Sequence, residues 1–284
     1  MTLPILIAVL GAAMLHASWN ALVKSAGDKF MTSARVCVWC GFISVAVAAA
    51  TPPPEGPAWP FVGASALIHV VYFVGVGRLY RTADLSVAYP LMRGSAPLIA
   101  TALAFATLAE RPAGLALLGI LALVTGIVGM GASGFQQGRI DGRTLAVALA
   151  NGAVIAIYSV IDGQGARLSG PGMAHAFGYN AWADGLTAAF YLPALFAWRG
   201  RGVARELALE PGRAAMGGLA AFIGYALVVW AMTHAPIGEV AAVRETSVLF
   251  AAAIGVLALG EPFKGVRAGA TALILAGVAA IKFA

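Results

Sequence analysis

The sequence predicts an all-α integral membrane protein of ten transmembrane helices, arranged as two inverted five-helix repeats. Three observations predict it. Of the 284 residues, 61% are hydrophobic and 11% charged, with mean hydropathy +0.88, against about 45–50% apolar and about 25% charged in a soluble domain. The apolar residues gather into runs of about 20, the length a helix needs to cross about 30 Å of hydrocarbon. Finally, residues 80–112 align without gaps on residues 231–263, so the chain repeats itself.

Span 1 covers residues 3–23. Its opening, "MTLPILIAVLGAAMLHASWNALVK", lacks a basic n-region and runs too long for a signal-peptide core, which reads as a mature span. Span 2 (31–50) ends at the breaker "TPPPEGPAW", after which span 3 runs over 59–80. Span 4 (85–108) holds Pro90 and Pro97, each of which removes a helix donor, and it closes on "LAERP". Span 5 (113–132) contains "GILALVTGIVGMG", whose small residues let helix backbones approach closely in lipid. The polar connector "GFQQGRIDGR" precedes spans 6 to 10, at 143–165, 173–198, 213–234, 237–260 and 265–283. The last of these contains the Gly-rich stretch "GVRAGATALILAG".

Net charge is +6, yet the basic residues are scattered through connectors with no stripe or aromatic ladder, so nucleic acid is excluded as a partner. They serve as topology signals. Lys24, Lys29, Arg78, Arg81, Arg139, Arg143, Arg199, Arg201, Arg205, Arg213, Lys264 and Arg267 follow odd-numbered spans, which by the positive-inside rule puts both termini outside the cytoplasm. Cys37 and Cys40 lie three apart in an apolar segment and read as packing residues, two thiols being too few for a metal site.

In the repeat, Arg93 lands on Arg244, Thr82 on Thr233, Glu110 on Glu261 and Gly126 on Gly277. The halves are residues 1–134 and 140–284, joined by 135–139. Five is an odd number of spans, so the second half enters the membrane in the opposite sense, the architecture of transporters that bind substrate near the midplane. Each arginine lies about 12 Å into its span at 1.5 Å per residue. A charge at that depth costs about 2.5–3.5 kcal/mol on insertion scales, which leaves two readings: a structural ion pair, such as Arg244 with Glu239 or a carboxylate of the other half, or a lining of the permeation cavity.

Other side chains suit such a cavity. His16, Trp19 and Asn20 share one face of span 1. Tyr72 and Tyr80 in span 3, Tyr89 in span 4, Tyr158 and Asp162 in span 6, and Tyr225 and Trp230 in span 8 add rings with polar tips and a carboxylate. An arginine beside such rings fits a small, partly apolar anion or zwitterion. Glu239, Glu245 and Asp184 are candidates for proton coupling or for neutralising the basic residues.

Ten spans in two halves, "HASWNALVK" in span 1, and the Glu-containing ends "LAERP" and "LGEPF" of spans 4 and 9 ahead of Gly-rich spans resemble the EamA branch of the drug/metabolite transporter superfamily over essentially the whole chain. The resemblance implies a basket in which spans 1, 3, 4, 6, 8 and 9 enclose a central cavity and spans 5 and 10 support it. It also implies alternating access for small metabolites in a bacterial-type inner membrane, with YddG-like export of aromatic and other neutral amino acids as the nearest branch. Phosphonates, other small organic anions and lipid carriers remain as substrates. Members commonly keep both termini in the cytoplasm, contrary to the arginine count. No cofactor or metal is implied. One chain holds both halves, so a monomer suffices, and Gly-rich faces leave a dimer open. An intramembrane enzyme is disfavoured: there is no HExxH, GxSxG or Walker loop, and His16, His69, His175 and His234 are dispersed.

Overall fold

The computed structural model describes residues 1–82, 85–130, 142–259 and 265–284, with the backbone alone at 74–82, 85–89, 143, 258 and 259. Among them are twelve α-helices and no strand. They are α1 (Leu3–Lys24), α2 (Lys29–Ala50), α3 (Trp59–Thr82), α4 (Leu85–Leu108), α5 (Gly114–Met130), α6 (Gly142–Leu168), α7 (Gly172–Arg199), the short α8 (Val203–Leu207), α9 (Pro211–Met232), α10 (Ile237–Arg244), α11 (Ser247–Leu259) and α12 (Gly265–Phe283). All fall on the ten predicted spans except α8, which lies in the connector after span 7, while α10 and α11 share span 9. Eight stretches are long and apolar enough to cross a bilayer, and α5 is a shorter apolar helix. Leu118, Leu257 and Phe42 are exposed on their helices, as side chains facing lipid can be.

Helix boundaries follow local chemistry. Asp28 caps α2 by accepting the Met31 N–H at 3.0 Å, and Pro211 opens α9 where a missing N–H costs nothing. Helix α4 runs through both of its prolines. Pro97 cannot donate to the Arg93 carbonyl, and its own carbonyl accepts the Thr101 hydroxyl at 2.7 Å.

Packing groups the chain into two compact units. The first comprises Met1–Ala13, Val71–Val160 and His234–Ala284, the second Met14–Val70 and Ile161–Thr233.

In the first unit α5 and α12 run antiparallel with their backbones in contact. A Cβ on Gly277 would sit 2.6 Å from the Gly119 carbonyl oxygen, and further along one on Gly126 would sit 2.8 Å from that of Ala270, so hydrogen is the only side chain that fits. Helix α4 likewise runs antiparallel to α10 and α11: Thr101 packs on Gly238, and the Glu110 carboxylate accepts the Ile237 N–H at 2.8 Å, capping α10. Both repeat-equivalent pairs thus have the sense that an in-plane two-fold produces.

Span 9 is interrupted. Every residue from Ile237 to Ser247 is buried, and at Glu245 and Thr246 the α-helical pattern gives way to shorter bonds: the N–H groups of Glu245, Thr246, Val248 and Leu249 each reach back three residues. The Thr246 hydroxyl also takes the Val243 carbonyl at 2.8 Å, a bond that bends helices. In the second unit α2, α7 and α9 pack on one another, with Ala58, Val62, Ala166, Tyr179, Ala183 and Val229 forming a buried cluster.

Candidate functional site

The break in span 9 brings the two repeat-equivalent arginines together. Arg93 projects from α4 and Arg244 ends α10, and both guanidiniums meet the Glu245 carboxylate. Arg93 Nε is 2.5 Å from Glu245 Oε2, while Arg244 Nε and Nη2 donate to Oε1 at 3.3 and 3.2 Å. Arg93 Nη2 also donates to the Ser247 hydroxyl at 3.1 Å, at the start of α11. Arg93, Arg244 and Glu245 are 2%, 3% and 1% exposed, so the charges are withdrawn from solvent and the carboxylate offsets one of the two positive charges. Of the carboxylates considered for Arg244, Glu245 is its partner, while Glu239 lies in the first turn of α10, where the helix dipole favours an anion.

Aromatic rings adjoin this cluster. The Arg244 guanidinium lies over the Tyr158 ring at 5.8 Å, and Tyr158 meets Tyr72 edge-on at 5.8 Å. Cation–π contact holds the guanidinium's flat face while leaving its edges for hydrogen bonds. The first unit therefore joins Arg93, Arg244, Glu245, Tyr158 and Tyr72 of the predicted residues. The side chains of Tyr80, Tyr89, Thr82 and Glu261 lie outside the described residues.

A second polar cluster occupies the other unit. Asp162 on α6 is 0% exposed and accepts two phenols: Tyr179 at 3.1 Å on Oδ1 and Tyr225 on Oδ2. Gly165, one turn along, leaves room for the Tyr179 ring. Asp184, midway along α7, accepts the Asn180 amide at 3.0 Å and the Cys40 thiol at 3.5 Å. His69 on α3 sits edge-on to Tyr225 at 5.6 Å and 3.2 Å from the Ser65 hydroxyl.

The remaining predicted residues are placed more locally. His16 and Trp19 stack edge-on at 5.2 Å, and Asn20 donates to the His16 carbonyl at 2.7 Å, all within half-buried α1. Trp230 is half-buried on α9. Sequence reasoning passed over Tyr179, Asn180, His69 and Ser247, and read Cys40 as packing alone. The available signals were the i, i+4 pair Asn180–Asp184 in "YNAWAD" and the polar triplet "ETS" inside an apolar span.

An all-helical, multi-span architecture with charged clusters buried among apolar helices defines a class: multi-pass membrane proteins. Residues 144–283 match the model of the EamA-like transporter family. Over that segment the chain is similar to this family of membrane transporters. A crystal structure of another protein superposes with a TM-score of 0.68 at 18% identity, over 98% of this chain and 95% of the other, a likeness of fold. No curated protein matches the sequence.

Proposed function

We propose that the protein is a secondary transporter that exports small metabolites bearing a carboxylate, foremost neutral and aromatic amino acids, from a bacterial-type cell across its inner membrane. The observation that carries this reading is the convergence of Arg93 and Arg244 on one buried carboxylate at a break in a membrane-spanning helix. Two planar donor forks at that point suit a carboxylate of the substrate as well as they suit Glu245. The Tyr72 and Tyr158 rings beside Arg244 offer an apolar face for a side chain. Such a surface favours amino acids over compact phosphonates, which bring an anion and little apolar area.

Alternating access follows from the repeat. Halves 1–134 and 140–284 exchange conformations, and the antiparallel pairing of repeat-equivalent helices supports this. The substrate anion competes with Glu245 for Arg93, so binding loosens the contact that joins α4 to the break in span 9. The test is counterflow in liposomes holding the purified protein, with labelled neutral and aromatic amino acids, an aminophosphonate and a sugar. Saturable exchange of several amino acids is expected. Folded protein that exchanges none of them, or the aminophosphonate alone, overturns the proposal.

A further inference from the structure

We propose that the second unit carries a buried proton-binding site, centred on Asp184 and Asp162, which couples transport to a proton gradient. Its coupling role rests on the transport reading above, whereas its proton binding does not.

Two carboxylates share this cluster, and among the described residues neither has a lysine or arginine partner. Asp162 and His69 are the charged neighbours that act on Asp184. The titratable groups around the pair are Cys40 on α2, His69 on α3, Tyr179 on α7 and Tyr225 on α9. With both carboxylates ionised, the cluster carries more negative charge than the one histidine beside it can offset, in a medium that penalises even one unpaired charge. The missing component is a cation.

Its chemistry points to a proton. Asp162 already has both oxygens occupied by phenol donors, and Asp184 Oδ2 takes an amide and a thiol, so no open oxygen cage stands ready for a metal ion. No group of three His, Cys, Asp or Glu side chains among the described residues could hold one. A proton needs only one carboxylate lone pair, and the step is simple: H⁺ from water adds to a carboxylate oxygen to give the neutral acid, and leaves the same way.

Asn180 supplies what both states need. Its Nδ2 donates to ionised Asp184, while its Oδ1, on a residue 1% exposed, has no hydrogen-bond partner. Exchange of the two amide ends turns that idle oxygen into an acceptor for the protonated acid. Asp184, His69 and Tyr225 are half-buried where Asp162 is closed off, which makes them the side from which protons enter.

The experiment uses whole protein labelled with ¹³C-aspartate. Infrared difference spectra between about pH 8 and 5 are recorded for wild type, Asp184→Asn and Asp162→Asn, alongside counterflow and gradient-driven uptake of labelled phenylalanine in wild-type vesicles. An aspartic-acid band that grows on acidification and is lost or shifted in either variant is expected, with accumulation of up to about tenfold per pH unit for one proton per substrate. A spectrum without a titrating aspartate, or one unchanged in both variants, overturns the site. Counterflow that proceeds while a pH gradient drives no accumulation overturns the coupling and leaves the transport reading intact. Absence of all exchange removes the transport reading and the coupling with it, and the band then decides the proton site alone.

Discussion

Glu245→Ala is the perturbation that separates the parts of the arginine cluster. The carboxylate touches Arg93 at 2.5 Å and Arg244 at 3.2 Å and is itself 1% exposed. Its removal leaves two buried guanidiniums without the anion they share, and deleting one partner of a buried pair costs about 3–5 kcal/mol. Arg93→Ala is a milder change, because Arg244 and Glu245 remain as a neutral pair. What is lost is the contact with Glu245, packing and a hydrogen bond to Ser247, with no buried charge left uncompensated, at about 1–3 kcal/mol. The double variant Glu245→Ala/Arg93→Ala removes one cation along with the anion, so it is expected to cost less than the sum of the single changes. Equilibrium unfolding in mixed detergent micelles, followed by tryptophan fluorescence, measures all three. If Glu245→Ala costs no more than Arg93→Ala, or the double variant is simply additive, Glu245 is not the anion on which both arginines depend.

Three further outcomes follow from the same geometry. Arg93→Ala is expected to abolish amino-acid counterflow while the protein still folds and inserts, and normal exchange by the variant removes Arg93 from substrate binding. Gly277→Ala puts a methyl 2.6 Å from the Gly119 carbonyl and 2.8 Å from the Leu123 nitrogen, so α5 and α12 must separate at about 1–3 kcal/mol, and unchanged unfolding stability contradicts that packing. Ala109→Gly acts in the other direction. Ala109 holds φ 54° just after α4, where a residue with a Cβ pays about 1–2 kcal/mol; glycine is therefore expected to stabilise the protein by up to about 1 kcal/mol in the same titration, and a loss of stability refutes it.

The spans were legible because lipid imposes length and apolarity on any helix that crosses it, and the repeat was legible because Arg93 and Arg244, or Gly126 and Gly277, keep the same residue at matching positions. The interruption of span 9 was harder to read. Average hydropathy treats Glu245, Thr246 and Ser247 as a dip within an apolar run, whereas the backbone registers them as the place where the helix tightens. Partnerships were harder still. Nothing in the spacing of Asp162 says that phenols from α7 and α9 close on it, since those residues sit on other helices, 17 and 63 residues on, and meet it only through helix packing.

The comparison of Arg244 with Arg93 shows where the repeat stops being symmetric. The residue after Arg93 is Gly94, whose missing side chain admits Val128 of α5 at 3.0 Å from where a Cβ would lie. The residue after Arg244 is Glu245. One half thus supplies an arginine with a close helix contact behind it, and the other supplies an arginine with its own counter-ion. Among the described residues both arginines meet the same carboxylate, because the position after the arginine serves packing in the first half and charge in the second. On the transport reading proposed above, halves that exchange roles need a contact that can break, and the anion that Arg93 of one half borrows from the other provides one: a substrate carboxylate that satisfied Arg93 would release α4, while Glu245 stayed with the arginine beside it in sequence.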